Sequence, residues 1–290
     1  MKRVLVTGAS GMLGSQLVLD APSGAVVVGT DLRPDAPVAA PGVDLAEPAA
    51  VRALFDAHGP FDAALHCAAW TAVDLAEEKP AEARRANATA CEVLAAECAR
   101  RSTRLVAVST DFVFDGTAST PYSVDAPTHP VSVYGATKLE GEQAIMRLHG
   151  AGSAIARTQW LYGPRGKHFP GTMLALAKDR KHLKVVHDQV GSPTSTLELS
   201  PALWDLARSG ETGVFHAACE GQASWFEFAC ETLHLAGVQG VEVAPCTTAE
   251  FPRPARRPAY STLDCSRLAK LRKKSMAHWR DALARYLKET

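Results

Sequence analysis

No stretch of this sequence approaches the roughly 20 consecutive apolar residues that a membrane-spanning helix needs. The opening residues, MKR, run straight into VLVTG, which reads as a strand and turn and not as the apolar body of a signal peptide. An excess of one charge sign is also missing: 31 basic and 31 acidic residues give a formal net charge of zero. A balanced surface exerts no long-range pull on nucleic acid or an anionic bilayer, so neither is expected as a partner. The seven cysteines, at positions 67, 91, 98, 219, 230, 246 and 265, form no CxxC pair. An odd, scattered set reads as buried free thiols in a reducing compartment, and the chain is expected to be cytoplasmic. The ten histidines show no metal-ligand spacing, so no protein-built metal site is expected. Internal repeats and low-complexity tails are absent as well. What remains is 290 residues with 47% apolar and 21% charged content, an ordinary soluble globule of one extended domain or two small ones.

Within it, residues 3–7 (RVLVT) form a short apolar strand, followed by GASGMLG with Gly8, Gly11 and Gly14 and then a helix through residues 16–20. Glycines between a strand and a helix let the backbone turn tightly and approach a pyrophosphate, which then rests on the helix N-terminus. Gly8, Ser10, Gly11, Met12 and Leu13 are therefore candidate contacts of a dinucleotide cofactor. A second strand over residues 25–31 ends in Asp31, about 20 residues beyond the glycines, where a carboxylate accepts from adenosine ribose hydroxyls. It repels a 2′-phosphate, so NADH is favoured over NADPH, and Arg33 softens that preference. Val43, Asp44 and Leu45 are expected to close a short third strand, with Asp44 either accepting from the adenine amine or capping the next helix. That helix covers residues 48–59 and precedes a fourth strand within residues 61–70. Small residues there, Cys67, Ala68 and Ala69, let the backbone pass close to the cofactor, whereas His66 reads as a strand-packing histidine. A long Ala-rich helix is expected over residues 80–101, with Asn87 either solvated or bonded to the backbone of the strand that follows.

Residues 103–142 carry the chemistry. An apolar strand runs into Ser109 and Thr110, a loop follows, and a helix opens at Tyr134 and carries Lys138. Residues four apart project from one helix face, and the ends of parallel strands are where open α/β sheets bind ligands. A hydroxyl, a phenol and an ammonium so placed suit carbonyl reduction: Thr110 orients the carbonyl oxygen, Tyr134 protonates it, and Lys138 tunes Tyr134. The cation should hold Tyr134 below its ordinary pKa of about 10.

Strand–helix alternation to this point predicts an α/β fold with a Rossmann-type, doubly wound parallel sheet. Residues 1–160 form the dinucleotide-binding domain, and residues 194–220 supply one more helix and strand to it. Residues 161–193 and 221–290 form a smaller C-terminal α/β lobe for substrate. A sixth strand over residues 153–163 brings Thr158, Trp160 and Tyr162 toward the crevice. The basic residues Lys178, Arg180 and Lys181 read as a solvated helix face, and the Arg/Pro-rich run at 251–258 as an ordered, substrate-facing loop.

The strings VTGASGMLG, CAAWTAVDLAEE, STDFVFDG, YGATKLEGE, RTQWLYG, DQVGSPT and RPAYSTLD, in that order and across nearly the whole chain, resemble the dTDP-4-dehydrorhamnose reductase family of extended short-chain dehydrogenases/reductases. The resemblance implies reduction of the 4-keto group of a nucleotide-linked 6-deoxyhexulose with NADH or NADPH. It implies Thr110, Tyr134 and Lys138 as the catalytic set, Lys138 also holding the nicotinamide ribose. Thr71, Asp74, Thr110, Asp111, Phe112 and Trp160 are implied on the substrate side. The chain departs from the family pattern at Phe112, where a Tyr is usual, and at Leu75, where a Lys is usual; each change removes a polar group near the expected sugar. Two other readings of the same scaffold stand beside this one. One is a sugar-nucleotide epimerase or dehydratase, although dehydratases usually place an acid where Phe112 stands. The other is a non-catalytic regulatory subunit similar to that of methionine adenosyltransferase. A homodimer is compatible with the sequence, and so is a bridging Mg2+, for which the sequence carries no signature.

Overall fold

The computed structural model describes residues 1–34 and 36–289. Strand β1 (Arg3–Thr7) is an apolar run buried on both faces, as a strand interior to a parallel sheet must be. Helix α1 (Met12–Leu19) follows the glycine turn, then β2 (Val26–Asp31) and the two-residue β3 (Ala40–Pro41). Helix α2 (Pro48–His58) starts on a proline, whose missing N–H has no intrahelical partner to lose, and stops at Gly59. Strand β4 (Ala63–His66) leads to α3 (Val73–Glu78), α4 (Pro80–Arg84), a widened π turn over Arg85–Thr89, and α5 (Ala90–Arg101). Next come β5 (Arg104–Thr110), α6 (Val133–His149) and β6 (Ser153–Thr158).

The remainder comprises β7 (Leu161–Tyr162), α7 (Phe169–Asp179), β8 (His182–Val186), β9 (Val190–Gly191), β10 (Thr194–Ser195), α8 (Thr196–Ser209) and β11 (Gly213–His216). It closes with β12 (Ala223–Ser224), α9 (Trp225–Leu235), β13 (Glu242–Cys246), α10 (Ser266–Arg272) and α11 (Trp279–Glu289).

Seven strands form one sheet in the order β11-β6-β5-β4-β1-β2-β3, every neighbouring pair parallel. The expected doubly wound α/β architecture is therefore present. Side-chain alternation divides the core. Val4 and Val6 pack with Leu13, Leu17, Leu203 and Trp204 on one face, and Leu5 packs with Val51, Phe55, Leu94 and Ile145 on the other. The strand order reverses between β1 and β4, so a crevice opens beyond their carboxyl ends. A second, small core (Met173, Ala177, Leu183, Val185, Ala229 and Leu233) joins α7 and α9 to a two-stranded β8–β13 sheet. Among the described residues no helix is long and apolar enough to cross a membrane.

Three local details differ from expectation. The third strand is Ala40–Pro41, paired with Thr30 and Asp31, and not residues 43–45. There the Asp44 carboxylate accepts from Ala46 N–H at 2.9 Å and turns the chain out of the sheet. The helix over 80–101 is present from end to end but widens into a π turn over Arg85–Thr89, which contains Asn87. The sixth strand breaks after Thr158 because Trp160 takes a left-handed backbone conformation, φ 48°, and β7 pairs instead with β10.

Candidate active site

The crevice encloses about 790 Å³ and is lined by Gly8, Ser10, Gly11, Met12, Leu13, Asp31, Asp44, Leu45, Ala68, Ala69, Thr71, Thr110, Asp111, Phe112, Tyr134, Lys138 and Trp160. The sequence-nominated cofactor and substrate residues meet there except Asp74, and Tyr162, expected to point toward the crevice, is instead buried in the core against Phe228 and Tyr286. Its floor is the β1–α1 turn. Gly8 has φ 62°, and a Cβ on it would lie 2.8 Å from Ala68 N, so only glycine lets the turn press against the end of β4. No side chain caps α1, which leaves its first N–H groups and the positive end of its dipole facing the crevice.

Asp31 ends β2 beside this turn. Burial raises its pKa, but hydrogen bonds from the Ser10 hydroxyl and the Arg33 N–H outweigh that and hold the carboxyl below the usual range. Arg33 Nε lies 3.5 Å from Asp31 Oδ1. Asp44 resolves between its two expected roles differently. Its Oδ1 is taken by Ala46 N–H and its Oδ2 by Arg85 at 2.7 Å, while Glu47, not Asp44, occupies the N-cap of α2.

The opposite wall is built by β5 and α6. Ser132 caps α6, its Oγ accepting from Gly135 N–H at 3.2 Å, and so fixes where the Tyr134–Lys138–Glu142 face begins. Thr110 Oγ1 accepts from Phe112 N–H at 3.2 Å and donates to Asp111 Oδ1 at 3.0 Å. Phe112 sits edge-on to the Tyr134 ring, centroids 5.4 Å apart. Tyr134 departs from expectation. Its pKa is pushed up to about 12, by burial first and by the Asp111 charge, with a hydrogen bond to Thr110 acting the other way. Burial is the reason, and Lys138, one of whose Nζ protons goes to Val108 O at 2.8 Å, does not offset it. The consequence is a phenol that keeps its proton at neutral pH.

Behind these residues, Glu142 grips Arg157 of β6, with contacts of 2.9 Å from Nε and 2.6 Å from Nη2. His66 is buried and stays neutral, its pKa pushed down to about 3 by desolvation and by the nearby Lys138; it bonds Thr7 Oγ1 at 2.7 Å and packs as anticipated. Asn87 follows neither expectation. It is buried, accepts from Trp70 N–H at 2.8 Å and donates to Trp70 O and Thr137 Oγ1, tying the loop after β4 to α6. Asp74 lies outside the crevice lining because Arg257 holds it through both oxygens at 2.9 Å and Ala255 N–H adds a third contact. This clasp orders the Arg/Pro-rich segment. Trp160 stacks flat on Trp225 at 3.6 Å between centroids.

Sequence reasoning missed Glu142, Arg157, Arg257 and Gln159. Glu142 lies four residues beyond Lys138, so extending the Tyr134–Lys138 spacing by one more turn would have found it. The others depend on contacts between distant segments and leave no local signal.

The crevice fits a nicotinamide dinucleotide on structural grounds. The glycine turn leaves room for a backbone-bound diphosphate, and Ser109, at the end of β5 near Lys138, buries a hydroxyl that has no partner among the described residues. A doubly wound sheet, an uncapped glycine-turn helix and a Thr–Tyr–Lys wall across the same crevice define an extended short-chain dehydrogenase/reductase. A family model described as RmlD substrate binding domain matches residues 1–290. The chain is 40% identical to dTDP-4-dehydrorhamnose reductase of Streptomyces griseus, over 97% of this chain and 91% of that one. It is 38% identical to dTDP-4-keto-6-deoxy-D-glucose reductase of Streptomyces niveus, over 97% and 95%. The crystal structure of dTDP-4-dehydrorhamnose reductase from Bacillus anthracis in complex with NADP superposes with a TM-score of 0.93 at 34% identity, covering 100% of this chain and 99% of that one. The chain belongs to the dTDP-4-dehydrorhamnose reductase family.

Proposed function

We propose that this protein is an NAD(P)H-dependent reductase of the 4-keto group of a dTDP-linked 6-deoxyhexulose, with dTDP-4-dehydrorhamnose reduced to dTDP-L-rhamnose. The observation that carries the reading is the convergence of Thr110, Tyr134 and Lys138 on the crevice that begins at the glycine turn. Full-length similarity to reductases of that name supports the substrate.

A reduced nicotinamide held in the crevice would supply the hydride. Gly8, Ser10, Gly11, Met12 and Leu13 would hold the diphosphate, Asp31 the adenosine ribose, and Ala68 and Ala69 the passage toward the nicotinamide. Of the three ammonium protons of Lys138, one is engaged by Val108 O, and the others are free to hold the nicotinamide ribose. Thr110 orients the carbonyl oxygen, and neutral Tyr134 delivers its proton to that oxygen as negative charge develops there. Thr71, Asp111, Phe112 and Trp160 line the sugar end. Phe112 offers no acid for an elimination, which separates this site from the dehydratase chemistry. Asp31 favours NADH, and Arg33 at its side admits the 2′-phosphate of NADPH. The seven free thiols support a reducing, cytoplasmic setting.

Removing the phenolic hydroxyl tests the assignment. Tyr134→Phe should lose on the order of 10² to 10⁴ in kcat while binding NADH as the parent does. Unchanged turnover would end it.

A further inference from the structure

Gln159 is 2% exposed and follows the last residue of β6. It lines the crevice together with Thr110, Phe112 and Tyr134. Its amide has one end fixed and one end free. Oε1 accepts from Ser261 Oγ at 3.2 Å and lies against β9, where a Cβ on Gly191 would come within 2.7 Å of it. A planar amide held by its oxygen turns its NH2 the other way. That nitrogen is buried and has no hydrogen-bond partner among the described residues. An unpaired buried donor is costly enough to need an explanation, and a crevice-lining donor finds one if a ligand brings the acceptor.

The sheet decides which ligand. The residues nominated for the diphosphate and the adenosine ribose sit at the ends of β1 and β2 and in the β1–α1 turn, whereas β6 lies on the far side of β4 and β5. Thr110 pairs in register with Thr158, the residue directly before Gln159. The amide is therefore one residue along from the partner of the group that orients the carbonyl, and distant in sheet order from the diphosphate and adenosine end of the cofactor. We propose that Gln159 donates a hydrogen bond to a hydroxyl at C2 or C3 of the substrate's sugar and so determines which 4-keto sugar is reduced. This deepens the ketoreductase reading and rests on it.

The test compares wild type with Gln159→Met, which keeps the volume and removes the donor, on dTDP-6-deoxy-L-lyxo-4-hexulose and on its 2-deoxy and 3-deoxy analogues. The variant should lose about tenfold or more in kcat/KM on the full substrate and keep its Kd for NADH within about twofold. On the analogue that lacks the contacted hydroxyl, wild type should show the same loss, and the variant should lose nothing further. Gln159→Glu, which keeps the shape but places an acceptor where a donor is needed, should show the same loss if the Met variant fails to fold. A variant with wild-type kcat/KM, or with losses that simply add on both analogues, would overturn the assignment. A wild-type protein inactive on all three sugars would overturn the ketoreductase reading, and this inference with it.

Discussion

Replacing Glu142 by Gln removes one half of a buried ion pair and leaves the other in place. Glu142 and Arg157 are 5% and 4% exposed, and two guanidinium nitrogens of Arg157 bond the carboxylate. The Arg157 side chain also lies over the Phe114 ring, 5.2 Å from its centroid, a contact too weak to compensate a charge. Stranding a buried charge in this way costs about 3–5 kcal/mol, a large share of the roughly 5–15 kcal/mol that holds a typical domain together. A melting temperature lower by on the order of 10 °C follows for a chain of this size. The pair joins α6 to β6 one helical turn beyond Lys138, so its loss also loosens the helix that carries Tyr134. Urea unfolding followed by circular dichroism measures the loss. The double variant Glu142→Gln/Arg157→Met, with no charge left to strand, should recover part of it. A single variant within about 1 kcal/mol of wild type, or a double variant no more stable than the single, would refute the argument.

Two further outcomes are expected. Burial pushes the Asp111 carboxyl up from 3.8 to about 6, so the folded state holds that proton more tightly than the unfolded chain. The resulting stability is present below pH 3.8 and lost as pH rises through about 6. Asp111→Asn should therefore gain stability relative to wild type between pH 4 and 6 and hold that gain above it; a constant difference across this range in chemical denaturation would contradict the assignment. For the cofactor, Arg33→Ala should raise KM for NADPH by about tenfold through loss of a charged phosphate contact and leave KM for NADH within about twofold. Equal effects on both in steady-state kinetics would remove Arg33 from 2′-phosphate recognition.

Much of the fold was legible because its signals are local. Apolar β1, the glycine turn and α1 lie within 20 residues, and the Tyr134–Lys138 face needs only helical periodicity. What escaped depends on partners far away in sequence. Lys138 was expected to lower the pKa of Tyr134, but burial of the phenol by segments distant in sequence raises it instead, and Lys138 donates to Val108, 30 residues upstream. The grip of Arg257 on Asp74, 183 positions away, left no sign in the sequence. The break at Trp160 is a backbone conformation that no propensity for Trp announces. Gln159 sits inside a recognisable string, yet a sequence does not show that one end of its amide is satisfied and the other is not.

The most direct test of the central claim is a coupled assay in which dTDP-6-deoxy-L-lyxo-4-hexulose is generated enzymatically and offered to the protein with NADH or NADPH. Reduced-nicotinamide absorbance is followed alongside product analysis. Oxidation matched mole for mole by dTDP-L-rhamnose, faster with NADH, is the expected result. Protein that binds NADH but oxidises neither cofactor in the presence of this sugar would contradict it.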